Sequence, residues 1–296
     1  MAGIQAVASM ETITLTTINP PVKTDSFNPT PLKISTITAT ASLGCECINA
    51  DLLYDALNPT DNGILYVEYG EKYGSQKYKG FHKKLTIARR RKPAARRFDN
   101  QVTILVRLVN GDKTELTNIK VFKNGNVQMT GLKTPAQGYR ALEYVIGFMK
   151  QNPVITSNQT PSINNFQLRL INSDFTIGFE VKRDKLHKIL SKVYSGTFST
   201  YEPCIYPGVK IQFNYNHSHP TSPFDGVCKC VNPCNGKGSA YGDGGCKKVT
   251  IAIFQSGSVI VTGARSYDQL ESAYNYICKV LANHADEIKR PPVPVS

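Results

Sequence analysis

The stretch Lys248–Gly263, KVTIAIFQSGSVIVTG, decides the fold. Apolar residues alternate on both sides of Ser256-Gly257, so it reads as two strands joined by a tight turn. A helix-like run follows from Ser266 to about His284. The chain carries a second version 132 residues upstream: Lys120–Gly131 reads KVFKNGNVQMTG, with a helix-like run from Thr134 to about Gln151. Phe122 matches Phe254, Gly125 matches Gly257, Val127 matches Val259, and Thr130-Gly131 matches Thr262-Gly263. Ala141 and Tyr144 match Ala273 and Tyr276. An internal duplication of this size fixes the architecture before any single residue does.

Period-two alternation assigns the faces. Val249, Ile251, Ile253, Val259 and Val261 share one side and suit packing under helices, as do Val121, Val127 and Met129 upstream. The other side is mixed: Thr250, Ala252, Phe254, Ser258, Ile260 and Thr262, with Lys120, Phe122, Asn126, Gln128 and Thr130 in the first copy. A Phe at the same strand end of both open faces suggests a partner there; a core position for each Phe is the competing reading.

Around the hairpins, both halves read strand, short helix, strands, hairpin, long helix. The expected segments are an arm at 1–32 rich in Thr, Pro and Asn and read as disordered, a first repeat at 33–152, a polar linker at 153–165, a second repeat at 166–285 and a frayed tail at 286–296. In the first strand Ile34 and Ile37 do not fit one period. Asn49–Leu57 reads as a short helix capped by Asn49.

The net charge is +13 and the pI about 9.3, an imbalance that points to an anionic partner such as nucleic acid. It concentrates at about 71–97, where eleven Lys and Arg, including Arg89, Arg90 and Arg91, face one acid, Glu71, with Tyr73, Tyr78 and Phe81 interleaved. That composition suits phosphate contact; a solvated basic loop or an import signal in RRRKPAARR are the alternatives. No apolar run is long enough to span a membrane, and the N-terminus does not read as a signal peptide. Eight scattered Cys favour a reducing compartment.

An insertion at about 216–247 has no counterpart upstream. Its Cys228, Cys230, Cys234 and Cys246 form a CxC, x3, C, x11, C pattern that could hold Zn²⁺ tetrahedrally. A Gly-rich flexible loop with free thiols is the other reading.

The runs TYEPCIYPG (Thr200–Gly208), FQSGSVIVTGAR (Phe254–Arg265) with SYDQLESAYNYICKVL after it, FKNGNVQMTGLK (Phe122–Lys133) and ASLGC (Ala41–Cys45) resemble the TATA-box-binding protein family. The resemblance spans about 34–151 and 166–284. The extended N-terminus and the insertions resemble the versions carried by large DNA viruses.

The resemblance implies an α+β fold: two pseudo-symmetric repeats forming one curved, antiparallel, saddle-shaped sheet with helices on the convex face. It implies a non-enzymatic initiation factor, acting as a monomer on double-stranded DNA, that binds and bends A·T-rich promoters through the minor groove. Phe122 and Phe254 match one wedge aromatic in each repeat; Phe98 and Tyr206, the latter a Phe in the family, match the others. Thr130 and Thr262 match groove-floor threonines, and Gln128 and Ile260 match apolar groove-facing positions. The family's central asparagines fall on Thr36 and Leu170, with Thr38 and Asn172 two residues on and on the same face. Asp99 stands where small apolar residues are usual. Glu202 and Ile205 match the surface presented to a TFIIB-like factor, and RNA polymerase is the implied further partner. No cofactor is required beyond the structural Zn²⁺ the thiols could hold. The expected location is the nucleus or a cytoplasmic viral factory.

A base-excision glycosylase on a similar sheet is disfavoured, since neither a helix-hairpin-helix run nor a GxxxxGK[ST], HExxH or GxSxG motif is present. A saddle that has lost sequence-preferring groove recognition, as a general nucleic-acid or scaffold protein, is the main alternative; Thr36, Leu170 and Asp99 motivate it.

Overall fold

A computed structural model describes residues 16–60, 63–70, 76–80, 100–219 and 225–291. They divide into two compact units, one within Thr36–Arg169 and one within Leu15–Ser35 plus Leu170–Ser296. Phe98, Arg89, Arg90, Arg91 and Asp99 lie outside the described residues.

The strands are β1 (Thr17–Ile18), β2 (Leu32–Ser42), β3 (Gly63–Gly70), β4 (Gln76–Gly80), β5 (Gln101–Asn110), β6 (Lys113–Phe122), β7 (Asn126–Leu132), β8 (Asn164–Thr176), β9 (Phe198–Glu202), β10 (Tyr206–Tyr215), β11 (Lys247–Ile253) and β12 (Ser258–Ala264). The helices are α1 (Ala50–Ala56), α2 (Pro135–Gln151), α3 (Arg183–Val193), α4 (Tyr267–Asn283) and α5 (Ala285–Ile288). The first unit has the order β4-β3-β5-β6-β7-β2, and the second β8-β12-β11-β10-β9. The strand pairs within each unit are antiparallel. Each unit is α+β.

The expected faces hold. Val121, Val127 and Met129 in the first unit, and Val249, Ile251, Ile253, Val259 and Val261 in the second, are buried. Onto them pack the apolar stripes of α2 (Ala141, Leu142, Val145, Met149) and α4 (Leu270, Ala273, Ile277, Leu281). Both long helices start with the same reciprocal cap. Thr134 accepts from the N–H of Gln137 while Gln137 Oε1 accepts from the N–H of Lys133, at 3.2 and 2.8 Å. Ser266 and Gln269 repeat this at 3.3 and 2.8 Å, the latter from Arg265.

The hairpin turns repeat equally closely. Gly125 (φ 74°) and Gly257 (φ 81°) occupy the left-handed region. A Cβ on either would sit 2.0 Å from the Cys45 carbonyl oxygen or 2.2 Å from that of Phe179. The carbonyl of Gly125 accepts from Leu43 at 2.8 Å, and that of Gly257 from Ile177 at 3.0 Å. At the far end of the second hairpin strand, Gly131 (φ 84°) and Gly263 (φ 99°) sit where the pairing to β2 and to β8 shifts by one residue. A bulge with Gly in the left-handed region explains the repeated Thr-Gly pair.

Two expectations are corrected. Residues 16–32 are not a disordered arm. Phe27 and Leu32 are fully buried in the second unit. Thr30 donates its N–H to the Thr176 carbonyl at 2.9 Å and accepts the Tyr274 hydroxyl at 2.9 Å. A polar composition hid the single aromatic anchor. The tail is not frayed through Arg290: Ile288 is buried, its carbonyl accepts from Lys182 at 2.7 Å, and Arg290 donates its N–H to Glu180 at 2.8 Å. The broken period of β2, by contrast, is as expected. Leu32 and Ile34 are buried with the second unit, whereas Ile37, Ala39 and Ala41 are buried with the first, so the parity changes between Ile34 and Ile37.

Candidate nucleic-acid interface

In the second unit, cross-strand register builds rows of side chains on the open face. One row is Asn172, Thr262, Thr250, Gln212 and Phe198; the next is Asp174, Ile260, Ala252, Lys210 and Thr200. Most of these side chains are half-exposed; Asp174, Ile260 and Phe198 are exposed, and the small Ala252 is buried among its neighbours. Thr262 donates its hydroxyl to Oδ1 of Asn172, and Ser35 donates to the Asn172 carbonyl at 3.0 Å.

Tyr206 and Phe254 come together where β10 begins and β11 ends. Their ring centroids are 5.7 Å apart at 57°, and the Lys210 ammonium lies 3.8 Å from the Tyr206 ring centre, a cation–π contact. Gly208 makes this possible: a Cβ there would lie 2.9 Å from Tyr206 and 3.2 Å from Phe254. Arg183, the first residue of α3, ties both flanking turns. It donates to the Pro207 carbonyl and, at 2.9 Å, to Gln255 Oε1. Nothing local in the sequence signals Arg183; the contacts span 24 and 72 residues.

In the first unit Phe122 is half-buried at the equivalent end of β6. It borders a groove of about 580 Å³ with Thr40, Asn126, Gln128, Gln167 and Arg169 among its walls. Arg169 donates to the Thr40 hydroxyl at 2.8 Å. Thr36, Thr38 and Thr40 share the open face by parity, opposite the buried Ile37 and Ala39. Thr130 pairs in register with Asn118, and Gln128 lies between Lys120 and Thr40. Sequence reasoning missed Arg169 and Gln167 because the divergent β8 had no assigned face, and Thr40 because the broken period of β2 left its facing open. The basic insertion is partly spent on the unit itself. Lys79 donates to the carbonyls of Tyr54, Asp55 and Leu57 at 3.0, 3.0 and 3.4 Å, capping the C-terminus of α1.

Between β9 and β10 the turn exposes Glu202, Cys204 and Ile205, the last 80% accessible.

The described part of the insertion in the second unit brings its cysteines together. The sulfurs of Cys228, Cys230, Cys234 and Cys246 lie within 4.8 Å of one another. Cys246 is buried and stands 3.4 Å from Cys230 and 3.7 Å from Cys228. A tetrahedral zinc with bonds of about 2.3 Å requires sulfur separations of about 3.8 Å. Burial raises the Cys246 thiol. Burial also opposes ionisation of Cys234, but the N–H groups of Gly236 and Cys246, together with the Cys246 and Cys228 thiols, outweigh it and lower that thiol. Such N–H donors suit a thiolate ligand. His219 Nε2 is 3.6 Å from Cys230.

A family model for transcription factor TFIID, or TATA-binding protein (TBP), matches residues 166–284. A TATA-box-binding protein-like protein of Acanthamoeba polyphaga mimivirus is 32% identical over 272 residues, covering 88% of this chain and 68% of the relative. This chain belongs to the TATA-box-binding protein family. Members of the family are DNA-binding transcription factors rather than enzymes. Among solved structures, Methanococcus jannaschii TBP aligns over 85% of this chain and 98% of its own, at 16% identity and a TM-score of 0.46.

Among the described residues no helix is long and apolar enough to cross a membrane.

Proposed function

We propose that this TBP-family chain is a transcription initiation factor that binds and bends A·T-rich promoter DNA. The open faces of its two units meet the minor groove. The observation that carries this is the duplicated aromatic: Phe122 and Phe254 stand at the same strand end of each copy, beside the same glycine turn, on the face the helices leave open. Members of this family are themselves the usual illustration of minor-groove binding by apolar wedges.

Tyr206 with Phe254, and Phe98 with Phe122, are the wedge pairs. Inserting an aromatic unstacks a base step, and the wrapped surface and phosphate neutralisation offset that cost. Thr130, Thr262, Gln128, Ile260, Thr36, Thr38 and Asn172 form the groove floor. Arg169, with Arg89, Arg90 and Arg91, contacts phosphates. Glu202 and Ile205 present the surface for a TFIIB-like factor, through which RNA polymerase is recruited, in the nucleus or in a cytoplasmic viral factory.

The test is affinity and end-to-end energy transfer on an A·T-rich duplex. Phe122→Ala and Phe254→Ala weaken binding and reduce the bend. Unchanged affinity and bend in both variants sinks the wedge mechanism, and equal affinity for G·C-rich duplex at every salt concentration favours a saddle without groove preference.

We also infer one structural Zn²⁺ on Cys228, Cys230, Cys234 and Cys246. The sulfur spacing and the all-thiol donor set suit zinc, which would supply cross-linking and no catalysis there. Elemental analysis of protein purified without chelator gives one zinc per chain, lost in Cys246→Ser; absence of zinc from the parent protein removes the site.

A further inference from the structure

The insertion that carries the four cysteines has no equivalent in the first copy, and it lies against the open face of the second unit. Gly236 (φ 70°) accepts the Lys248 N–H at 2.8 Å. A Cβ on Gly236 would come 2.6 Å from Lys248 Cβ and 3.5 Å from Asn214 Oδ1. Asn214 and Lys248 are register partners at the end of the open face. The next residue, Lys237, is exposed and pairs with Lys247 in an isolated bridge. Lys237 and Lys248 therefore meet at one edge, where the insertion joins β11, while Lys247 alternates to the other face, the side of the buried Tyr215.

No acid among the described residues pairs with Lys237 or Lys248. The nearby acids of the insertion are engaged elsewhere. Asp225 pairs with Lys229 at 2.7 Å, and Asp243 accepts the N–H groups of Val231 and Asn232 at 2.7 and 2.9 Å. Lys248 shares the open face with Asn214, and Lys237 follows directly after the glycine that packs on it, so an anion at this edge meets two cations that no acid offsets. The insertion is also held in place. Gly238 donates to the Cys246 carbonyl at 3.0 Å, Ala240 to Gly245 at 2.8 Å, and Asn216 Nδ2 to Gly242 at 2.8 Å. The backbone that carries Lys237 is thus positioned before any ligand arrives.

We propose that the cysteine insertion is a phosphate-contacting wall, which extends the DNA contact of the second unit onto the backbone through Lys237 and Lys248. This rests on the open faces being the DNA-binding surfaces. The contact is sequence-independent: it raises affinity and salt dependence without altering base preference or bend.

The full chain is titrated against a labelled A·T-rich duplex across a salt series, by fluorescence anisotropy, beside Lys237→Ala/Lys248→Ala. Each phosphate contact contributes about 0.9 to the slope of log K against log salt. The double variant is therefore expected to be shallower by about 1.8, with the same bend and the same A·T over G·C ratio. Lys237→Glu, at an exposed position, is expected to weaken binding further at low salt. Unchanged slopes in both variants, with normal bending, overturn the phosphate wall and leave the groove reading intact. Failure of the parent chain to bind duplex overturns both. A change in base preference in the double variant also overturns the proposal, since it places Lys248 on base edges.

Discussion

Thr262 donates its hydroxyl to Oδ1 of Asn172 across paired strands, which fixes the amide with its nitrogen free for the open face. The minor groove of an A·T pair offers only acceptors, adenine N3 and thymine O2, whereas a G·C pair adds the guanine amine. A donor held at this point therefore favours A·T. Thr262→Val removes the hydroxyl that sets the amide, and Asn172→Leu removes the donor. Each is expected to lower the A·T over G·C affinity ratio by about tenfold, the equivalent of one lost hydrogen bond of about 1.4 kcal/mol. Competition binding at fixed salt measures the ratio. An unchanged ratio in Asn172→Leu means that this side chain does not face base edges.

Gly208 is required by its neighbours rather than by its own backbone. Its φ is not in the left-handed region, yet a Cβ would press on both Tyr206 and Phe254. Gly208→Ala is expected to separate the two rings, reducing affinity for A·T-rich duplex and the bend together, while the melting temperature falls by only a few degrees, as for about 1 kcal/mol in a domain of this size. Energy transfer on an end-labelled duplex reads the bend. A large loss of stability with normal bending of the folded fraction counts against a wedge role for the pair.

The parts legible in the sequence are those governed by short-range periods. The two faces of β11 and β12 follow from strict alternation, and Gly125 and Gly257 from the need for positive φ between matched strands. The helix starts follow from Thr134 and Ser266. The illegible parts depend on distant partners. Phe27 stands in a polar stretch, and only its burial in the second unit shows that the stretch is ordered. Lys79 looked like one phosphate-seeking lysine among many, yet it caps α1. Arg183 ties two turns that the sequence keeps far apart. The cysteine spacing departs from CxxC pairs, so only folding of the Gly-rich insertion brings the four sulfurs together.

The segment before β2 offers a test of whether its order matters to the fold. Phe27 is fully buried, and Thr30 is bonded at both its N–H and its carbonyl. Phe27→Ala is expected to destabilise the protein by about 3–5 kcal/mol, the range for deleting a buried aromatic ring. Urea unfolding followed by circular dichroism measures it. A disordered arm would leave the midpoint unchanged.

Two glycines at positive φ separate backbone strain from collision. Gly111 (φ 58°) joins β5 to β6, and a Cβ there meets nothing within 4 Å. Gly257 (φ 81°) would collide with the Phe179 carbonyl oxygen at 2.2 Å. Gly111→Ala is therefore expected to cost only the left-handed conformation, about 1–2 kcal/mol. Gly257→Ala must also push two backbones apart. It strains the bonds from Ile177 to Gly257 and from Val181 to Gln255, which stand at 3.0 and 2.8 Å, and lost buried hydrogen bonds add about 1–3 kcal/mol each. The same turn holds Phe254, whose N–H donates to Ser258 at 2.9 Å and whose carbonyl accepts from Gly257 at 3.0 Å. Gly257→Ala is thus expected to lose more stability than Gly111→Ala and to reduce DNA bending, while Gly111→Ala leaves bending unchanged. Thermal melts and energy transfer on the same samples decide it. Equal stability losses would mean that the Phe179 carbonyl can move aside, and normal bending in Gly257→Ala would separate the turn from the wedge.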